Sequence, residues 1–269
     1  MSIPSTGWRW RLPVDTLSIV FFDIDDTLYS TSDFARQARR NAVQAMVEAG
    51  LRVPVDVCLR ELEEVVAEFS SNYEHHFDRL LQRFPPESLG GENPALLVAA
   101  AVIAYHGAKM RQLVPFPEVP RVLGHLAKAG LRLGVITEGP AVKQAEKLLR
   151  LRLVEHFDPA AIFISDQLGI SKPNPKLYRR ACQLAAVEPG RAMYVGDNAP
   201  NDVDPANAVG MKTALCRRGG RHEDKPSRTP PTHAIANLEE LEALLRETYR
   251  VRVGARPRGG KRQKPADGC

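Results

Sequence analysis

Two aspartates, Asp23 and Asp25, stand one residue apart directly after the apolar run Leu17-Ser-Ile-Val-Phe-Phe. Side chains two residues apart on an extended chain lie on one side, so the two carboxylates share a face. Carboxylates crowded in this way repel one another unless a cation neutralises them. A second apolar run ends in Gly196-Asp197, and Asp202 follows shortly after it. An all-oxygen set of this kind suits Mg2+, which takes carboxylates together with water and phosphate oxygens. Lys172, in Ser-Lys-Pro-Asn-Pro, supplies a fixed positive charge, and Thr137, in Val-Ile-Thr-Glu-Gly, a hydroxyl donor. An anion site inside a metal site is the arrangement phosphoryl transfer needs. One carboxylate can attack phosphorus to give an aspartyl-phosphate, while a second shuttles the proton.

The elements that must carry these residues are legible from texture. The run at 17–23 reads as a strand buried on both faces. From about Asp33 to Arg111 apolar residues recur at helical spacing, punctuated by Pro54, Pro85-Pro86 and Gly90-Gly91, which predicts four helices and no strand. Past Pro115 strands and helices alternate. Strands are expected at 131–137, 161–165, 192–196 and 213–216, with helices at 119–129, 141–151, 175–186 and 200–209. A weak strand near 232–235 and a helix over 238–249 close the pattern. This is the rhythm of a doubly wound parallel sheet, whose ligands bind where the strands end. The expected fold is α/β: a Rossmann-like parallel-sheet core formed by residues 1–28 and 116–249, with an all-α insert at 29–115. Residues 250–269 read as a disordered basic tail.

Charge and composition narrow the function classes. The net charge of +5 belongs to the tail, where seven basic residues face one acid, so the remainder carries −1. The tail lacks aromatic interleaving, so no specific nucleic-acid partner is expected, only weak, salt-sensitive polyanion contact. The longest apolar runs, 17–22 and 95–104, are too short to span a bilayer. No signal-peptide cleavage pattern follows Arg9 and Arg11. The four cysteines, Cys58, Cys182, Cys216 and Cys269, show no metal or disulfide spacing, and Cys269, as the last residue, is no prenylation site. A cytoplasmic location is the expectation. His75-His76 is not read as a metal pair, because adjacent helical residues do not face one site. Asp204 is expected to serve a local turn or helix end, and Trp8 and Trp10 to anchor the leader on the core.

In their order and context these motifs resemble the haloacid dehalogenase superfamily of hydrolases, in the branch with an α-helical cap inserted between the first and second motifs. The resemblance covers about residues 17–245. It implies a Mg2+-dependent phosphatase acting on a small phosphate ester through an aspartyl-phosphate. By the resemblance, Asp23 is the nucleophile, and Asp25 protonates the leaving alcohol and later activates water. Thr137 and the amides of Glu138 and Gly139 bind the phosphoryl group, and Lys172 neutralises charge and orients Asp23. The metal falls to Asp23, Asp25 through its carbonyl, Asp197 and Asp202, the last directly or through water. Two positions depart from the family's habit: Glu138 stands where many relatives carry Asn or Asp, and Pro205 replaces a common Gly. A sugar-phosphate mutase or a 2-haloacid dehalogenase-type hydrolase could share the fold. Asp25 and Thr27 favour phosphate, since the family's dehalogenases lack the second aspartate of the first motif. The substrate, the cap residues that contact it and the oligomeric state are left open by the sequence.

Overall fold

The computed structural model describes residues 16–70, 73–220 and 222–252. The leader with Trp8 and Trp10, Cys269 and the tail beyond residue 252 lie outside them. The described chain forms two compact units. One comprises the residues up to Leu28, then Pro117–Ala145, then those from Leu153 onward; the other comprises Tyr29–Phe116 together with Glu146–Arg152.

The first unit is built on six parallel strands: β1 (Ile19–Phe22), β2 (Arg132–Thr137), β3 (Ile162–Ile164), β4 (Ala192–Gly196), β5 (Lys212–Cys216) and β6 (His233–Ile235). Their order is β3-β2-β1-β4-β5-β6. All four residues of β1 are fully buried, as its unbroken apolar run requires of a central strand. Phe22 pairs with Val135 on one side and Val195 on the other, so Asp23, Thr137 and Asp197 leave the sheet at the same end. Strand order reverses about β1, and such a switch point opens a crevice at the carboxyl ends of the strands. Gly134 is required by this packing: a Cβ there would lie 2.6 Å from the Phe21 ring and 2.7 Å from the Ala161 carbonyl.

The second unit is helical, with α1 (Thr31–Glu48), α2 (Val55–Phe69), α3 (His76–Leu81) and α4 (Pro94–Gln112), and a 3-10 turn at Pro86–Leu89. Ser30 and Asn93 cap α1 and α4 through their side chains. Its own core gathers Val43, Met46, Leu62, Leu80 and Leu97. The four expected helices are present, and no strand occurs among the described residues of the insert.

The remaining helices are α5 (Val119–Lys128), α6 (Ala141–Arg150), α7 (Ser165–Leu168), α8 (Pro175–Leu184), α9 (Asp204–Ala208) and α10 (Leu238–Glu247). Two local readings change. The strand expected through 165 stops at Ile164, because Ser165 opens the short α7, which Gly169 ends at φ 63°. The helix expected over 200–209 is broken: a wide turn over Ala199–Val203 precedes α9. That turn brings Asp202 back so that its Oδ2 accepts the Asn198 N–H at 2.9 Å. Asp204, expected to serve a local turn or helix end, opens α9 and accepts from the Arg228 and Thr229 amides at 3.0 and 2.9 Å, so its bonds reach a loop 24 and 25 residues further along the chain.

Candidate active site

Lys172 is the centre of the strand-end crevice. Its Nζ donates to Asp23 Oδ1 at 2.9 Å, Asp202 Oδ1 at 2.8 Å and the Tyr194 hydroxyl at 2.8 Å. The lysine, both carboxylates and Thr137 are all buried. Burial opposes the lysine's charge, but Asp202 and Asp23 outweigh it and hold its pKa well above the usual value. Asp23 experiences the opposite balance. Burial pushes its pKa up to about 6, with Lys172 pulling it down and Asp202 and Asp25 adding to the rise.

Asp197 enters from the end of β4. Carboxylate oxygens of Asp23, Asp197 and Asp202 lie within 4.8 Å of one another. The Asp197 pKa rises to about 8, first through burial and then through Asp202, Asp23 and Asp26. Its Oδ2 is buried and accepts no hydrogen bond among the described residues, as do Thr27 Oγ1 and Asn198 Oδ1, all in the loops that follow β1 and β4. Three clustered carboxylates, two of them on the Lys172 ammonium, with an orphaned carboxylate oxygen on the third, form a donor set that fits a hard divalent cation such as Mg2+. Asp202 differs from Asp197, because both its oxygens already accept protein donors, Lys172 and the Asn198 amide. Asp25 is half-buried, and its carboxylate is not one of the clustered three.

The loop after β2 carries the rest. Thr137 Oγ1 donates to Gln144 Oε1 at 3.4 Å, and Gln144 Nε2 donates to the Glu138 carbonyl at 2.8 Å. Gln144, buried on the first turn of α6, thus braces the loop, and it packs where a Cβ on Gly139 would stand. Gly139 has φ 135°, a left-handed value that favours glycine. Its amide already donates to Ser165 Oγ at 3.0 Å, so an incoming anion would compete with that hydroxyl. The Glu138 carboxylate is exposed and accepts from Ser171 Oγ at 2.5 Å, which joins this loop to the one bearing Lys172. Gln144, Ser165 and Tyr194 escaped the sequence reading. Gln144 alone had a local signal, since it stands one helical turn past Pro140.

His75 and His76 join no carboxylate or cysteine cluster among the described residues. His76 Nε2 lies 2.8 Å from the Ser70 carbonyl, and His75 Nδ1 3.6 Å from Asp78. No described helix is long and apolar enough to cross a membrane.

The haloacid dehalogenase-like hydrolase family matches residues 17–210, most of the chain and every residue of the cluster. The chain belongs to the haloacid dehalogenase-like hydrolases. Among its relatives, glyceraldehyde 3-phosphate phosphatase of Methanopyrus kandleri is 43% identical over 235 residues, 86% of this chain and 98% of that one. The enzyme of that name from Pyrococcus furiosus is 40% identical over 86% of this chain and 94% of its own. The chain is accordingly an enzyme, a phosphatase of this family. Among solved structures, a haloacid dehalogenase-family hydrolase of Deinococcus radiodurans R1 superposes with TM-score 0.61 at 19% identity, covering 89% of this chain and all of that one. A 2-haloacid dehalogenase of Pseudomonas syringae gives TM-score 0.55 at 28% identity, over 86% and 98% of the two chains.

Proposed function

We propose that this chain hydrolyses a small phosphate monoester, with glyceraldehyde 3-phosphate the leading substrate, by a Mg2+-dependent route through an aspartyl-phosphate on Asp23. The single observation that carries the reading is the buried cluster of Asp23, Asp197 and Asp202, two of which Lys172 bonds. Near-complete coverage of two relatives named for glyceraldehyde 3-phosphate supports the substrate.

Each residue has a step. Asp23 attacks phosphorus, and the bond from phosphorus to the ester oxygen breaks. Asp25 gives its proton to the departing oxygen. Water, losing a proton to Asp25, then attacks phosphorus and releases inorganic phosphate, which restores both aspartates. Lys172 holds Asp23 oriented and balances its charge. Thr137 and the Glu138 amide receive the phosphoryl oxygens, the Gly139 amide exchanging its Ser165 partner for the anion. Mg2+, held by Asp23, the Asp25 carbonyl, Asp197 and, directly or through water, Asp202, would offset the charge that gathers on the transferring group. The helical insert is the proposed cap domain.

The test is phosphate release from glyceraldehyde 3-phosphate, from a generic aryl phosphate and from a panel of sugar and nucleoside phosphates, with and without chelator. Release should be highest with glyceraldehyde 3-phosphate and abolished by chelation, then restored by added Mg2+. Full activity after exhaustive chelation would overturn the metal assignment. Isomerised product without phosphate release would point to a mutase.

A further inference from the structure

We propose that Tyr194 is a positioning residue of this site, its phenol fixing the Lys172 ammonium between Asp23 and Asp202. The inference rests on the reading of Asp23 and Lys172 as reacting groups given above. A lysine ammonium has three N–H donors. Here all three are committed, two to carboxylates and the third to the Tyr194 hydroxyl at 2.8 Å. While its oxygen accepts that hydrogen bond, the phenol donates its own O–H to the Ile136 carbonyl at 2.7 Å. Ile136 is the residue immediately before Thr137 on β2. One hydroxyl therefore ties the lysine to the strand that presents the phosphoryl-binding loop.

The surroundings hold this hydroxyl in place. Tyr194 is 1% exposed, and its ring packs edge-on against Tyr178 at 5.0 Å with an interplanar angle of 89°. Tyr178 is itself fixed, donating to the Asn201 carbonyl at 2.6 Å. Burial first, then Asp202 and Tyr178, keep the Tyr194 phenol protonated and thus able to donate. The fold alone asks for an aromatic ring at this point of β4, which phenylalanine would supply. A buried hydroxyl is a liability unless it is bonded at both ends, as this one is. Without it the third N–H of Lys172 loses the acceptor it has here. The ammonium is then free to shift toward either carboxylate, and the Asp23 attack geometry loosens with it.

The experiment compares wild type, Tyr194→Phe and Asp23→Asn at saturating Mg2+ with an aryl phosphate and glyceraldehyde 3-phosphate, well below every variant's melting midpoint. Tyr194→Phe should lower kcat by about 10- to 100-fold, the scale of a small misplacement of reacting groups. KM should stay within about threefold, because no contact with substrate is removed. A kcat within about twofold of wild type, whatever the shift in melting midpoint, would show the phenol to be structural and overturn the proposal; so would a change confined to KM. Should Tyr194→Phe fold poorly, 3,5-difluorotyrosine at 194 keeps the hydroxyl but weakens it as an acceptor. It should lower kcat in the same sense by a smaller factor, and an unchanged kcat there also overturns the proposal. An Asp23→Asn enzyme with wild-type turnover would overturn the underlying reading, and this inference with it. An inactive Asp23→Asn beside an unimpaired Tyr194→Phe rejects the phenol's role alone.

Discussion

Gly196 marks how little room the acidic cluster leaves. A Cβ there would stand inside contact distance of Asp202 Oδ2 and 2.6 Å from its Cγ. Gly196→Ala must displace Asp202 and with it one of the three acceptors of Lys172. We expect it to lower kcat at least tenfold and to cost about 1–3 kcal/mol of stability, the usual range for overpacking; steady-state kinetics and thermal melting check both. In the proposed mechanism the two aspartates after β1 have separate roles. Asp23→Asn should reduce phosphate release to background, since the proposed route runs through an acyl-phosphate on Asp23. Asp25→Asn should lose about two to four orders of magnitude, the scale of general acid–base help, and less with aryl phosphates, whose leaving groups need little protonation. Equal losses on good and poor leaving groups would contradict the role given to Asp25.

Among the elements, the seam between α5, α10 and the loop after β5 is held by charge. Glu118, at the start of α5, accepts from Arg218 at 2.5 Å, and both side chains are largely buried, with 14% and 8% exposed. Arg121 pairs with Glu239, and His125 Nδ1 lies 3.1 Å from Glu242. Burial works against the Glu118 charge, but the bond from Arg218 and nearby backbone donors outweigh it and hold its pKa below the ordinary value. A carboxyl lowered on folding contributes stability that is fully present above its unfolded pKa, about 4.3. The contribution is lost as pH falls through the folded value. Glu118→Gln should therefore be less stable than wild type at pH 7 by about 1.5–3 kcal/mol, the worth of a hydrogen bond to a charged group. The gap should close on acidification below about pH 4. A gap that persisted in acid would show that the loss came from packing.

For the whole molecule, the informative boundary is at the C-terminal end. Tyr249 is buried, and its hydroxyl lies 2.8 Å from His233 Nε2 on β6; the Val251 amide donates to the Leu245 carbonyl at 3.1 Å. These contacts close the sheet edge and the end of α10. Past Arg252 the sequence is rich in Gly, Pro and charge and shows no apolar periodicity. A chain ending at Arg252 should keep its melting midpoint and turnover. One ending before Tyr249 should lose several degrees. Any polyanion binding by the full chain should vanish with the tail and weaken steeply with salt. A large loss of stability or catalysis on the first truncation would require the tail to dock on the body.

By itself the sequence determined the chemistry set and its frame. Asp23, Thr137, Lys172, Asp197 and Asp202 each follow or flank a short apolar strand, and period and punctuation are local properties of the chain. The same holds for the helical texture of the insert, whose spacing and prolines need no partner to be read. What only the tertiary structure decided are contacts between residues far apart in the chain. The Lys172 to Asp23 bond joins residues 149 positions apart, and the Tyr194 to Ile136 bond spans 58. No propensity or period encodes such pairings, so a tyrosine in a strand reads only as β-favouring bulk. The wide turn over Ala199–Val203 was hidden for a related reason. Its residues carry helical spacing, and the choice between a regular helix and a turn that returns Asp202 to Lys172 depends on burying a carboxylate beside an ammonium from elsewhere in the fold. Periodicity is a property of neighbours along the chain, whereas charge compensation in the interior belongs to the assembled sheet.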